Sequence, residues 1–254
     1  MKPNINTAGL STERILTTTA SEVLRCFPEH EALCHLDIGA GNGELIKIIK
    51  ANIQTISHAC DYTNELMELK DQKVDICDLN SSALPYEDNT FELITFTEVI
   101  EHIENHRFTL REIARILKPK GVFILSTPNL LNLKSRVRFL FCGFWNLFGP
   151  LKCGGRRIES TDGHINPIHY FYIAHSLIEA GLEVENETYD KFQSTSLFYY
   201  FLLFPFIKIY SFLHLKREKD KWGTIDDGNE RFVKKVNQSQ QLLSRTIVIS
   251  ARKT

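Results

Sequence analysis

Apolar positions along the chain switch repeatedly between continuous short runs and a helical spacing. Short runs occur at Leu33–Ile38, Thr55–Cys60, Val74–Cys77, Phe91–Thr97 and Val122–Ser126, with a last one at Arg245–Arg252 around Ile247, Val248 and Ile249; Leu182–Tyr189, which alternates at its start, also reads as a strand. Between them lie segments whose apolar residues fall three or four apart. These are Leu45, Ile48 and Ile49, then Leu110, Ile113, Ala114 and Leu117, then Ile173, Leu177 and Ile178 within a helix at 170–180. A first helix is predicted over 10–27, with Leu16, Ala20, Val23, Leu24 and Phe27 on one face and Pro28 after it. A short helix is also predicted over 64–70. Lys118-Pro119-Lys120-Gly121 should stop the fourth helix, and Gly181 should cap the fifth. Continuous apolar strands alternating with helices indicate an α/β fold whose sheet is buried on both faces.

The candidate chemistry begins where the first strand ends, at Leu36-Asp37-Ile38-Gly39-Ala40-Gly41-Asn42-Gly43-Glu44-Leu45. Glycine serves where backbone must bend sharply or approach a ligand. The dinucleotide fingerprint needs its third glycine one position later, and no Gly-Lys-Ser/Thr follows to make a P-loop. An acid before the glycines suits a ligand that carries positive charge. Asp61, twenty residues past Gly41 and at the end of the second strand, can accept both hydrogen bonds of a ribose diol.

This stretch resembles the first motif of the class I S-adenosylmethionine-dependent methyltransferases. Further on, Glu98-Val99-Ile100-Glu101-His102, Leu117-Lys118-Pro119-Lys120-Gly121 and Ser126-Thr127-Pro128-Asn129 follow in the family's order. The combination is similar to the small-molecule branch that contains the ubiquinone-biosynthesis O-methyltransferases. Lys120 departs from the glycine usual there, a change expected to matter little in a turn. The resemblance covers about 36–129 and weakens beyond.

It implies a seven-stranded Rossmann-like sheet, six strands parallel and the last antiparallel between strands five and six, with helices on both faces. S-adenosylmethionine is the implied cofactor. Gly39, Ala40, Gly41, Asn42 and Gly43, with Asp37, would hold its methionine end. Asp61 and the adjoining Tyr62 would take the ribose, Asp78 and Leu79 the adenine, and Thr97 and Glu98 would lie beside the cofactor. Asp78 reads equally well as an acid starting a turn.

Composition changes this picture little. In 254 residues, 43% apolar and 24% charged, the formal net charge is −1, so no global field recruits nucleic acid. Six cysteines include no Cys-x-x-Cys pair, so neither a zinc site nor a disulfide framework is indicated. Met1–Ala20 carries no apolar signal core, and a cytoplasmic protein with reduced thiols is the expectation.

Two apolar insertions interrupt one expected domain, 1–254. The first, 130–161, mixes Phe139, Phe141, Phe144, Trp145 and Phe148 with Lys134, Arg136, Arg138, Lys152, Arg156 and Arg157, ahead of Asp162. The second, 192–221, contains the run Leu197–Leu215, broken by Pro205 and Lys208. That run is at the lower limit of a membrane span, and 222–240 reads as a polar loop. Both insertions leave from the edge expected to carry the cofactor, as a cap, a dimer contact or an interfacial membrane element.

The expected reaction is O-methylation of a small or lipid-linked acceptor, with His102 or His164 as candidate base. An alternative has Glu98, Glu101, His102 and His164 holding a divalent metal, a set resembling that of small-RNA 3′-end 2′-O-methyltransferases. A nucleotide-binding dehydrogenase and a non-catalytic methyltransferase-like binding protein are the readings from other classes.

Overall fold

The computed structural model describes residues 11–28, 32–151 and 163–254. Residue 10 of the predicted first helix, Lys152, Arg156 and Arg157 of the first insertion, and Asp162 just after it, lie outside the described residues.

The elements in chain order are α1 (Glu13–Cys26), β1 (Leu33–Ile38), α2 (Glu44–Asn52), β2 (Thr55–Asp61), β3 (Val74–Ile76), β4 (Phe91–Thr97), α3 (His106–Ile116), β5 (Leu117–Pro128), α4 (Leu133–Cys142), α5 (Tyr170–Glu179), β6 (Leu182–Tyr189), α6 (Ser194–Arg217), α7 (Glu230–Lys235), α8 (Ser239–Leu243) and β7 (Thr246–Lys253). The described strands form one seven-stranded sheet in the order β3-β2-β1-β4-β5-β7-β6. β7 runs antiparallel to both β5 and β6, and the other pairings are parallel.

Strand residues alternate between two apolar layers. Leu93, Val122, Ile124 and Val248 pack with Val23 of α1 and with Leu45 and Ile49 of α2. Ile94, Phe96, Phe123, Leu125 and Ile249 pack with Ile113 of α3 and with Ile173 and Leu177 of α5. Covering both faces makes the central strands β4, β5 and β7 read as largely continuous apolar runs, whereas β6 at the edge alternates. α1 is also fastened by a polar contact. Glu22, 3% exposed, accepts from Ser250 Oγ at 2.6 Å, Asn186 Nδ2 at 3.0 Å and Arg25 Nη2 at 2.8 Å.

Several sequence expectations need correction. Residues 64–70 form turns, not a helix, because they buttress the glycine loop: Glu68 N–H donates to Asn42 O at 3.2 Å, and Met67 and Leu69 lie against Gly43. Lys118–Gly121 does not merely stop α3. It forms the irregular first part of β5, with a register shift opposite Phe91–Leu93. Lys120 sits there at φ +66°, so the position that is usually glycine is one where a side chain costs about 1 kcal/mol. Glu98–His102 passes through a single 3-10 turn at Ile100–His102, and α3 starts only at His106, capped by the Asn105 side chain. Residues 222–240 include α7 and α8 rather than only loop, and Leu197–Leu215 is one unbroken stretch of α6 despite Pro205.

Candidate functional site

The turn between β1 and α2 carries three glycines at positive φ: Gly39 at +75°, Gly41 at +50° and Gly43 at +82°. At Gly39 a Cβ would lie 2.3 Å from Val99 Cγ2, so the loop packs directly against the chain leaving β4. Gly39 N–H donates to Cys60 O at 2.7 Å, and Gly41 N–H to Asp61 Oδ2 at 2.8 Å. The carboxyl ends of β1, β2 and β4 thereby meet around one bend.

Asp37 lies at the end of β1, 2% exposed, opposite Thr95 of β4. Thr95 Oγ1 donates to Asp37 Oδ1 at 2.7 Å, and His35 Nε2 lies 2.8 Å from the same hydroxyl. Since the one hydroxyl proton goes to Asp37, Nε2–H of His35 must be the donor of the second contact. Burial holds His35 neutral, with its pKa down to about 3. Burial, with Asp61 nearby, pushes the Asp37 carboxyl up to about 7. Asp61 is 7% exposed and is likewise raised by burial, opposed by main-chain donors from Gly41, Tyr62 and Thr63. Among the described residues neither acid makes an ion pair.

Of the other predicted positions, Tyr62 is 42% exposed beside Asp61, and Leu79 is half-buried against the core. Asp78 is exposed and engaged in its own turn, accepting from Asn80 N–H at 3.0 Å and Ser81 Oγ at 2.9 Å. Thr97 Oγ1 is buried without a hydrogen-bond partner. Glu98 adopts φ +55°, and its Oε1 accepts from Ser126 Oγ at 3.2 Å. Burial pushes its carboxyl up to about 7.

Glu101, His102 and His164 come together: one ligand atom from each lies within 4.8 Å of the others. Glu98 is not in that cluster. Glu101 is fully buried, and burial with the neighbouring Glu98 raises its pKa well above the usual range. Its Oε2 accepts from Thr127 Oγ1 at 3.1 Å, while Oε1 has no partner. His102 Nδ1 lies 3.1 Å from Gly163 O, which makes it the donor and leaves Nε2 with a free lone pair. The His102 and His164 rings stand edge to face at 4.9 Å. Burial lowers both pKa values, and with His102 alongside, that of His164 falls to about 4. His164 also faces a cleft of about 400 Å³, lined with Phe144, Trp145, Phe148, Leu151 and Pro167.

Sequence reasoning missed Thr95, Ser126 and Thr127, the hydroxyls that hold the three acids. The available signal is polar residues inside strands that are otherwise apolar. It also missed Val99, which the glycine loop touches.

The methyltransferase-domain family profile matches residues 12–187, more than half of the chain. The ubiquinone/menaquinone biosynthesis C-methyltransferase UbiE of Desulfotalea psychrophila is 28% identical over 155 residues, 57% of this chain and 58% of that one. A demethylmenaquinone methyltransferase of Bacillus mycoides is 27% identical over 105 residues, 37% of this chain and 44% of that one. The chain spans about half the length of the curated relatives it matches. In fold it is similar to a SAM-dependent methyltransferase of Archaeoglobus fulgidus, with TM-score 0.54, 16% identity and 94% of each chain covered. It is likewise similar to phosphoethanolamine N-methyltransferase 2 of Haemonchus contortus in complex with S-adenosyl-L-methionine. There the TM-score is 0.53 with 16% identity, over 93% of this chain and 52% of that one.

The site suits that cofactor. Asp37 and Asp61 bring two buried carboxyls, without a cationic partner among the described residues, to a glycine bend at the sheet's carboxyl edge. A sulfonium with an amino-acid ammonium supplies the positive charge such a pair lacks. The chain belongs to the methyltransferase-domain family, with the class I fold, and S-adenosylmethionine is its cofactor.

Proposed function

We propose that the chain transfers a methyl group to an oxygen of a small apolar or lipid-linked acceptor, and that 130–161 and 192–221 cap the acceptor side. One observation carries this reading: the aromatic cleft at Trp145, Phe148 and His164 adjoins a pair of neutral imidazoles beside the carboxyl end of β4. Bound S-adenosylmethionine supplies an electrophilic methyl on a sulfonium, so the protein's tasks are alignment, exclusion of water and removal of the hydroxyl proton.

Gly39–Gly43 and Asp37 hold the methionine end, and Asp61 and Tyr62 the ribose. Leu79 flanks the adenine, and Thr97 and Glu98 border the transferred group. His102 is the better base of the two histidines. Its Nδ1–H is committed to Gly163 O, which fixes the tautomer and leaves Nε2 to accept the proton. The apolar wall opposite favours an acceptor with an aromatic or isoprenoid-like body. The free thiols of the described cysteines suit a reducing cytoplasm. Calorimetry with S-adenosylmethionine, its demethylated product and NAD tests the reading, followed by transfer of labelled methyl into a lipid extract. Absence of binding to the first two overturns it.

A second reading is favoured by the orphaned Glu101 Oε1 and His164 Nδ1. With His102 Nε2 they offer an oxygen and two imidazole nitrogens to a divalent cation that would grip an acceptor diol. A ribose 3′ end is one such acceptor, and the family match leaves this reading open while removing the dehydrogenase.

A further inference from the structure

α6 is an apolar helix of 24 residues, lying against the protein along one face only. Ser196, Tyr200, Phe204, Ile207 and Ser211, at helical spacing, form the inner face. Tyr200 Oη and Ser239 Oγ are 2.8 Å apart, Asn237 Nδ2 donates to Ser211 Oγ at 2.6 Å, and Lys134 N–H at the start of α4 donates to Ser196 Oγ at 3.2 Å. The outer face is bare. Phe198, Phe201, Phe206, Ile209, Phe212 and Leu213 are each at least 62% exposed. α4 packs beside α6 and adds Leu140 at 76% and Phe141 at 79%. Scattered apolar residues on a surface are ordinary, but two adjacent helices with this much exposed apolar surface need a partner.

Charge indicates which partner. Neither α4 nor α6 contains an aspartate or glutamate, in a chain whose overall charge is −1. Their cations are Lys134, Arg136, Arg138, Lys208, Lys216 and Arg217. Arg136 is used internally, bonded to Leu131 O, Asn237 and Val236 O. Arg138, Lys208, Lys216 and Arg217 are exposed around the apolar face. Beyond Arg217 the helix continues as Glu218–Trp222, where both signs alternate and Trp222 is 59% exposed. Aromatic side chains fringed by basic ones match the acyl–headgroup boundary of an anionic bilayer.

The fold also decides between crossing and lying flat. At 1.5 Å per residue α6 is about 36 Å long, enough to span. However, the chain after it returns to the same sheet. Lys235 of α7 pairs with Glu187 of β6, Arg231 lies 3.5 Å from Glu183, and β7 inserts between β5 and β6. A crossing at α6 would leave 218–245 on the far side, with no second apolar helix among the described residues to bring it back.

We propose that α6 and α4 dock the protein in the plane of an anionic lipid bilayer, with the outer face of α6 sunk to the acyl boundary and Arg138, Lys208, Lys216 and Arg217 on lipid phosphates. This goes beyond the methyl-transfer reading and stands without it. It also gives an acceptor dissolved in the membrane a short way into the cleft at Trp145 and Phe148, since α4 leads directly into that segment.

The test is flotation of the full chain with vesicles of phosphatidylcholine alone or with about one-third phosphatidylglycerol, alongside sedimentation velocity and calorimetry with S-adenosylmethionine. The chain is expected to float with the anionic vesicles and at least tenfold less with the neutral ones. The triple variant F201E/F206E/L213E should stay at the bottom of the gradient, and K208E/K216E/R217E should lose at least tenfold on anionic vesicles. Both should keep wild-type cofactor affinity, because these side chains point into solvent. Failure to float, or flotation indifferent to both variants, overturns the proposal. So does a stable dimer that the first variant dissociates without any flotation of the wild type. Loss of cofactor binding by the wild type would instead count against the methyltransferase reading.

Discussion

Asp61 Oδ2 accepts a hydrogen bond from Gly41 N–H at 2.8 Å, so the acid proposed to take the ribose also braces the glycine bend. Asp61→Asn keeps the shape but removes the charge. The Asn carboxamide oxygen can still accept from Gly41 N–H, but the charge-assisted bonds to the proposed ribose are lost, costing about 1.5–3 kcal/mol, a weakening of the cofactor Kd by about ten- to a hundredfold. Calorimetry should show this with little change in Tm.

With Asp37 on the methionine end as proposed, cofactor binding should depend on pH. Its folded pKa is raised to about 7 against an ordinary carboxyl value near 4, so between those limits the folded state holds a proton that the unfolded state has released. Stability therefore falls as pH rises from about 4 to 7 and then levels off. Affinity for a cationic ligand rises over the same interval, because binding draws Asp37 to its carboxylate form. Asp37→Asn should flatten both profiles, raise Tm at pH 8 and weaken binding there. A wild-type Kd that stays constant between pH 5 and 8 would count against the assignment.

Gly39→Ala should be severe. The added methyl meets Val99 Cγ2 at 2.3 Å, and the backbone is left-handed at φ +75°. Left-handed strain of about 1–2 kcal/mol and overpacking of about 1–3 kcal/mol act together. Adding Val99→Ala removes the second of these only. The double variant should recover part of the urea midpoint lost by the single one, which a double-variant cycle measures.

Glu22 should carry stability far from the site. Burial raises its pKa, but bonds from Arg25, Ser250 and Asn186 outweigh this and leave it below the ordinary value. A depressed acid contributes stability above its unfolded pKa and loses it as pH falls through the folded one. Glu22→Ala leaves the buried Ser250 hydroxyl and the Asn186 amide without their acceptor, while Arg25, 46% exposed, is taken up by water; the cost should be about 1–3 kcal/mol at pH 7 and less at pH 3, by urea unfolding.

The Glu101–His102–His164 cluster separates the two chemical readings. If a divalent cation sits there, chelator treatment abolishes transfer and His164→Ala removes manganese binding by calorimetry. If His102 alone is the base, chelator leaves the rate unchanged. His102→Ala then lowers kcat by about 10²–10⁴, with little effect on cofactor affinity.

The sheet is legible in the residues because both its faces are covered, and β1 and β4 run over the stretches that the apolar pattern marks. The glycine bend is legible because its backbone needs positive φ at fixed places. The environment of Asp37 is not, since His35, Thr95 and Asp37 meet only through register across two strands far apart in the chain. The 64–70 segment misleads for a related reason: Met67 and Leu69 are used against Gly43 and Glu68 N–H against Asn42, contacts with a loop more than twenty residues earlier in the chain. Leu197–Leu215 shows its composition plainly and hides its attitude, because only the return of 218–245 to β6 and β7 decides against a crossing.

The insertion of β7 between β5 and β6 sets an order of events during synthesis. Leu182–Tyr189 pairs with no other described strand, so it waits, together with the bare margin of Leu117–Pro128, until translation has passed Lys253. Two unpaired margins and a greasy helix are then uncovered at once in the nascent chain, which makes this interval, rather than the finished enzyme, the moment of greatest need for a chaperone.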